Sequence, residues 1–203
     1  MSSPYSNKER SEWESITQKL IKKHPLTQEE IVDVVINSWD QIFNSKIGAF
    51  NIGKEILPTP QIMSFLLHEL VSHNLSLQFP GQYRTGTEKY EKDVVCVKNE
   101  KYSIEIKGSS HPNQIFGNRS YAQPNSNNAI KKKDGYYITI NFEKFSKNKQ
   151  PKPRILLIRF GFIEHTDWIA QNAPTGQQAR LIPEAYKSKL RILYDVNKET
   201  KKE

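Results

Sequence analysis

The 203-residue chain carries 30 Lys+Arg against 22 Asp+Glu, a formal net charge of +8, with 36% hydrophobic and 26% charged residues. A single cysteine excludes an intrachain disulfide framework and a cysteine-based zinc finger, and no run of 18 apolar residues exists to form a transmembrane helix. The polar start, through Ser15, lacks the apolar stretch of a secretory signal, so the expectation is one soluble, cytoplasmic domain with an anionic partner.

Ser11-x-x-Glu14 has the form of a capping box, and Trp13, Ile16, Leu20 and Ile21 follow at helical spacing. A second box, Thr27-x-x-Glu30, opens a longer helix with the apolar stripe Ile31, Val35, Trp39, Ile42, which Gly48 is expected to stop. Thr59-Pro60 starts a third helix running to about Leu77. The period then changes. Asp93–Lys98 and Tyr102–Lys107 read as two strands of a hairpin, and Tyr136–Phe142 and Arg154–Glu164 as further strands. Residues 182–194 read as a helix with Pro183 at its first position, and the charged tail 196–203 as disordered. The expected fold is α/β or α+β, a central mixed sheet flanked by helices. It divides into a helical part, 1–80, packed on a sheet-containing core, 81–195.

Charge follows that division. Between Leu26 and Pro80 the only cations are Lys46 and Lys54, against six carboxylates, whereas Lys131 to Arg154 holds eight cations and two acids. Such a basic patch suits a phosphate backbone. The acidic helical part should face away from it and, with apolar faces at 27–46 and 60–77 that exceed the needs of one small sheet, supply a dimer contact.

Chemistry concentrates on the predicted hairpin. On its second strand Ser103, Glu105 and Lys107 share one face, while Tyr102, Ile104 and Ile106 share the other. With the apolar set turned to the core, Glu105 and Lys107 stand on the opposite face, and the returning strand brings Asp93 beside them. Two carboxylates can hold a hydrated Mg²⁺, and a lysine next to them can orient or help deprotonate an attacking water. The alternative is an exposed strand face with an ordinary Glu–Lys pair. Gly108-Ser109-Ser110 ends the strand at once, which favours a sheet mouth over a mid-sheet surface.

Lys92-Asp93, followed by Glu105-Ile106-Lys107, resembles the PD-(D/E)xK nuclease superfamily, with Lys92 where a proline often stands. Gly117-Asn-Arg-Ser-Tyr121 and Thr175-Gly-Gln-Gln-Ala-Arg180 add a likeness to type II restriction endonucleases of the ScaI-like group. The resemblance implies a restriction-endonuclease-like core and Mg²⁺-dependent hydrolysis of both strands of a short palindromic site in double-stranded DNA, by a homodimer. It makes Asp93, Glu105 and the Ile106 carbonyl metal ligands and Lys107 the residue that positions the water. Glu69, the only acid on the third helix, is the candidate for a further carboxylate.

His68 and His73 on that helix are five positions apart, about 140° around the axis, so they are not a shared zinc pair. The Asn/Gln-rich segment 111–128 offers Gln114, Asn118, Arg119 and Gln123 for base edges, and Gln177, Gln178 and Arg180 form a second polar segment. Lys131, Lys132 and Lys133 suit phosphate contacts. No glycine-rich nucleotide-binding loop occurs, so no nucleotide cofactor is expected. Two other readings stay open: a repair or junction nuclease with the same metal core, and a non-catalytic basic DNA-binding module.

Overall fold

A computed structural model of the chain describes residues 3–123, 133–145, 152–173 and 175–199. The chain enters helix α1 (Trp13–Lys23) through a 3-10 turn, and Glu12 rather than Glu14 closes the entry by accepting the Glu9 N–H at 3.0 Å. Helix α2 (Gln28–Phe43) opens on the predicted box: Thr27 Oγ1 accepts from Glu30 N at 3.2 Å and Glu30 Oε2 from Thr27 N at 2.7 Å. It ends at Phe43, five residues before Gly48, because the chain turns at Asn44 and starts a small hairpin. Strands β1 (Lys46–Ile47) and β2 (Phe50–Asn51) form that hairpin, with Gly48 (φ 60°) in its turn. Helix α3 (Pro60–Gln78) carries proline in its first turn, as expected.

Strands β3 (Tyr83–Thr85), β4 (Val94–Cys96) and β5 (Ile104–Ser109) follow, then β6 (Phe116–Asn118), β7 (Gly135–Phe142) and β8 (Ile155–Ile163). The chain continues through β9 (Trp168–Ala170), β10 (Gln178–Leu181), β11 (Leu190–Asp195) and the short helix α4 (Val196–Glu199). Six strands make a central mixed sheet in the order β11-β8-β7-β5-β4-β3, in which only β5 and β7 pair in parallel. A smaller antiparallel sheet has the order β6-β10-β9. The predicted β4–β5 hairpin is present but shorter, with Val94 opposite Ile104 and a 3-10 turn at Glu100–Tyr102.

Two expectations near the end of the chain are corrected. Residues 182–194 are not one helix: after a turn at Ala185–Lys189 the chain extends as β11 and closes the edge of the main sheet against β8. The pairing is tight, since a Cβ at Gly161 would fall 1.9 Å from the Lys189 carbonyl oxygen, so only glycine fits opposite that turn. The unpaired edge of β8 outweighs the helical pattern. The tail expected to be disordered begins as α4, with Val196 buried; 200–203 lie outside the described residues.

Period-2 alternation gives the main sheet two buried faces. Ile104 and Ile106 of β5 with Ile138 and Ile140 of β7 pack under α2 and α3, against Val35, Leu67 and Val71. The other face carries Tyr137, which packs with Ile115, Tyr121, Trp168 and Leu181 from the smaller sheet and its flanks. Between these layers lie the polar residues of the site. No helix among the described residues is long and apolar enough to cross a membrane.

Candidate active site

Asp93 stands just before β4 and is held from three directions. Its Oδ2 accepts the Ile106 N–H at 2.7 Å across the β4–β5 hairpin. Its carbonyl accepts from Ser72 Oγ at 2.7 Å, and its Oδ1 lies 3.1 Å from His68 Nε2, both on α3. Burial would lower the His68 pKa, but the hydrogen bond and charge of Asp93 outweigh it, and the imidazole holds its proton more tightly than usual.

The strand face that carries Glu105 and Lys107 is covered. Glu105 is 1% exposed, because Tyr121 and the smaller sheet close over it. Its Oε1 accepts from Lys107 Nζ at 2.6 Å and from Tyr121 Oη at 2.5 Å. Lys107 Nζ also donates to the Ile106 carbonyl at 3.2 Å and sits 4.8 Å from the Tyr121 ring centre. Burial pushes the Lys107 ammonium down, but Glu105 and Asp93 pull harder, and the net shift is upward. Lys107 is therefore a fixed positive charge, suited to orienting a water or facing a phosphate and unsuited to taking a proton. Burial pushes the Tyr121 phenol up to about 12, so it stays a donor to Glu105.

The oxygens here suit a hard cation. Asp93 and Glu105 carboxylates and the Ile106 carbonyl share one corner, and Lys107 Nζ already finds two of those oxygens from within it. No group of three or more His, Cys, Asp or Glu side chains that could hold a metal occurs among the described residues. A cation here would keep several waters, which is how Mg²⁺ is usually held.

The corner opens into a cleft of about 850 Å³ lined by Gln61, Ser64 and His68 of α3, Lys107 and Gly108 of β5, and Asn118, Tyr121, Lys144 and Gln178. The two polar segments singled out in the sequence meet on its wall. β6 and β10 are antiparallel neighbours, with Gln178 opposite Asn118 and Arg180 opposite Phe116. Asn118 and Gln178 line the cleft, while Gln114, Gln123, Gln177 and Arg180 are exposed outside its lining. Arg119 is turned back on the neighbouring loop, donating to the Ala173 and Gly176 carbonyls at 3.2 Å each. Lys133 donates to the Ser120 carbonyl, and Lys131 and Lys132 lie outside the described residues. Glu69 does not line the cleft; its carboxylate meets the site through His68, 3.2 Å from Nδ1.

Several residues that build the site escaped the sequence reading. His68 and Ser72, with Ser64, form an i, i+4, i+8 polar stripe on α3; it reads as a solvated face but points at Asp93. His73, one residue further, is exposed. Asn141 and Arg159 are buried beneath the cleft: Asn141 Nδ2 donates to the His111 and Gln114 carbonyls at 2.7 and 3.0 Å, and Arg159 Nη1 to Asn141 Oδ1 at 2.7 Å. Nothing in a strand pattern marks them, since their partners come from a loop far along the chain.

The sequence model of the ScaI restriction endonuclease family matches residues 3–194 of this chain. The type II restriction enzyme ScaI of Streptomyces caespitosus is 46% identical to it over 180 residues, which cover 88% of this chain and 79% of that enzyme.

Proposed function

The chain belongs to the ScaI restriction endonuclease family and is a type II restriction endonuclease; from that premise we propose that it acts as a Mg²⁺-dependent homodimer cutting both strands of double-stranded DNA at a short palindromic site. The observation that carries this reading is the meeting of Asp93, Glu105 and Lys107 at one corner, from which Lys107 reaches the wall of a cleft that also presents Asn118 and Gln178.

Asp93, Glu105 and the Ile106 carbonyl would hold the cation, which when bound would polarise the scissile phosphate and acidify a water. Asp93 reaches that position already oriented by the Ile106 N–H and His68. Tyr121 keeps Glu105 turned toward Lys107. The Lys107 ammonium positions the attacking water and faces the phosphate as negative charge grows there. Base edges are read from the β6–β10 wall by Asn118 and Gln178, with Gln114, Gln123, Gln177 and Arg180 at its margins. Arg119 braces that wall, and Lys131, Lys132 and Lys133 contact phosphates. Glu69 steadies His68. A symmetric pair of subunits meets a palindrome with one active site per strand.

Phage DNA incubated with the protein in Mg²⁺, followed by sequencing of the fragment ends, tests this reading. Discrete ends that share one short palindrome are expected with Mg²⁺, and intact DNA with EDTA. DNA left whole in Mg²⁺, or cutting confined to branched DNA, would overturn it.

A further inference from the structure

The link between α2 and α3, residues 44–59, is long for a helix–helix connection and is built rather than loose. Ile47 and Phe50 are directly paired across the β1–β2 hairpin, so they share one face of the ribbon, with Lys46 and Asn51 paired next to them. The turn has two residues, Gly48 and Ala49, with a positive φ only at the glycine, which keeps the ribbon narrow. The base is fixed: Glu55 Oε2 accepts from Asn51 N at 2.8 Å and Asn51 Nδ2 at 3.0 Å, and Ile52 is buried in the main core. Yet Ile47 is 62% and Phe50 57% exposed at the tip. A braced ribbon that offers a phenyl ring and a branched aliphatic side chain to solvent is built to meet something.

Charge and position identify the occupant. Lys46 and Lys54, the only two cations between Leu26 and Pro80, both lie on this link, and both are exposed. The rest of that stretch is acidic and repels DNA. The base of the link lies beside Phe43 and Phe145, whose rings a Cβ added at Gly53 would meet at 2.7 and 3.8 Å, and Lys144, which precedes Phe145, lines the active-site cleft. On the other side the link runs into α3, whose first turns line the same cleft through Gln61 and Ser64. The hairpin therefore continues the rim of the catalytic cleft.

We propose that the β1–β2 hairpin is a DNA-contacting wedge: Ile47 and Phe50 enter the minor groove beside the scissile phosphates, and Lys46 and Lys54 contact the flanking backbone. The minor groove follows from the chemistry of the tip, because apolar side chains wedge open base steps there, while major-groove readout rests chiefly on polar pairings with base edges. The inference rests on the nuclease reading and adds an element that the catalytic corner does not contain.

The test uses the full-length protein and a labelled duplex carrying the site found at its fragment ends, in EDTA buffer. Two double variants are compared with wild type: Ile47→Ser with Phe50→Ser, and Lys46→Gln with Lys54→Gln. The first should bind the duplex at least about tenfold more weakly, the loss expected when a base-contacting aromatic is removed. It should also bend the duplex less, read by end-to-end energy transfer. The second should make the salt dependence of log Kd shallower by about two, one for each lost phosphate contact. Both should keep the wild-type urea midpoint and sedimentation coefficient. Wild-type affinity, bending and salt slope in both variants would overturn the wedge while leaving the nuclease reading intact. So would a change in oligomeric state in the first variant, which would make the tip a contact between copies. A wild-type protein that neither binds nor cuts DNA would overturn the nuclease reading and the wedge together.

Discussion

Lys107 is the residue on which the catalytic reading turns, and its burial changes how it must be tested. On an open strand face Lys107→Met would leave folding almost untouched. Here the ammonium neutralises Glu105, which is 1% exposed, so removing it strands a buried carboxylate at a cost of about 3–5 kcal/mol. Lys107→Met should therefore lower the urea midpoint and reduce single-turnover cleavage by at least ~10²-fold. Glu105→Gln combined with Lys107→Met should regain most of the stability and none of the cleavage. Lys101→Met, outside the site, should match wild type in both. Wild-type cleavage by Lys107→Met would remove it from the active site.

His24 makes a second prediction at this scale. It is 6% exposed, with Nε2 donating to the Tyr102 carbonyl at 3.1 Å and Nδ1 accepting from Leu26 N at 3.2 Å, so the neutral ring is fully used. Burial lowers its pKa to about 4, and the bond to the Tyr102 carbonyl offsets this only in part. Above pH 6.5, the ordinary histidine value, folded and unfolded chains are both neutral here and the group contributes no pH dependence. As pH falls from 6.5 toward 4 the unfolded chain takes up the proton first, and stability drops by up to about 3 kcal/mol. Urea midpoints measured from pH 7 to pH 4 should show that loss, and His24→Gln should flatten it.

Elements are joined at a few buried polar points, and these set the next prediction. Lys189, just before β11, places its Nζ 2.7 Å from Glu164 and 2.8 Å from Asp167, and stacks 4.1 and 4.3 Å from the Tyr5 and Trp13 ring centres. One ammonium thus ties the end of β8, the turn into β9, the start of β11 and the segment leading into α1. Burial raises the Asp167 pKa, and Lys189 partly offsets it. Lys189→Met should destabilise the protein by about 3–5 kcal/mol, because two carboxylates lose their counter-charge. An unchanged urea midpoint would show that the cluster is solvated in solution. The Asn141–Arg159 pair has a different role, since it pins the main chain of the loop that leads to β6. Asn141→Ala should loosen the reading wall, weakening site-specific cleavage more than stability. Comparing cleavage at the site with cleavage at sites differing by one base pair measures this.

At the scale of the molecule, the helical part and the sheet share one core. The apolar faces of α2 and α3, which by sequence exceed the needs of the sheet, are largely taken up by it: Ile31, Val35, Ile42, Leu67, Val71 and Leu75 are all buried there. Large apolar side chains that remain exposed on these two helices are Ile62, Phe65 and Leu77. The proposed dimer would then use a smaller surface than the sequence suggests, and DNA should strengthen it. Sedimentation at micromolar protein should show a dimer on the site-bearing duplex, with one cut in each strand. Only monomer, with and without that duplex, would overturn the two-fold arrangement.

Periodicity and spacing by themselves determined the three helices, the β4–β5 hairpin, the central strands of the sheet, and the nearness of Asp93, Glu105 and Lys107. Each of these depends on contacts close along the chain, where a 3.6- or 2-residue repeat or a short turn settles the geometry. Tertiary structure alone decided the rest. The Glu105 face is buried because Tyr121 and β6, from the crossover between β5 and β7, join β9 and β10, which follow β8, in a layer over it, and strand alternation does not reveal that. β11 is a strand because β8 offers an unpaired edge, and that outweighs a helical pattern within the segment. The polar stripe of α3 belongs to the site because the helix lies across β4, bringing His68 and Ser72 to Asp93. Charge at these positions was legible in the sequence, but its burial, and so its strength, depended on what folded over it.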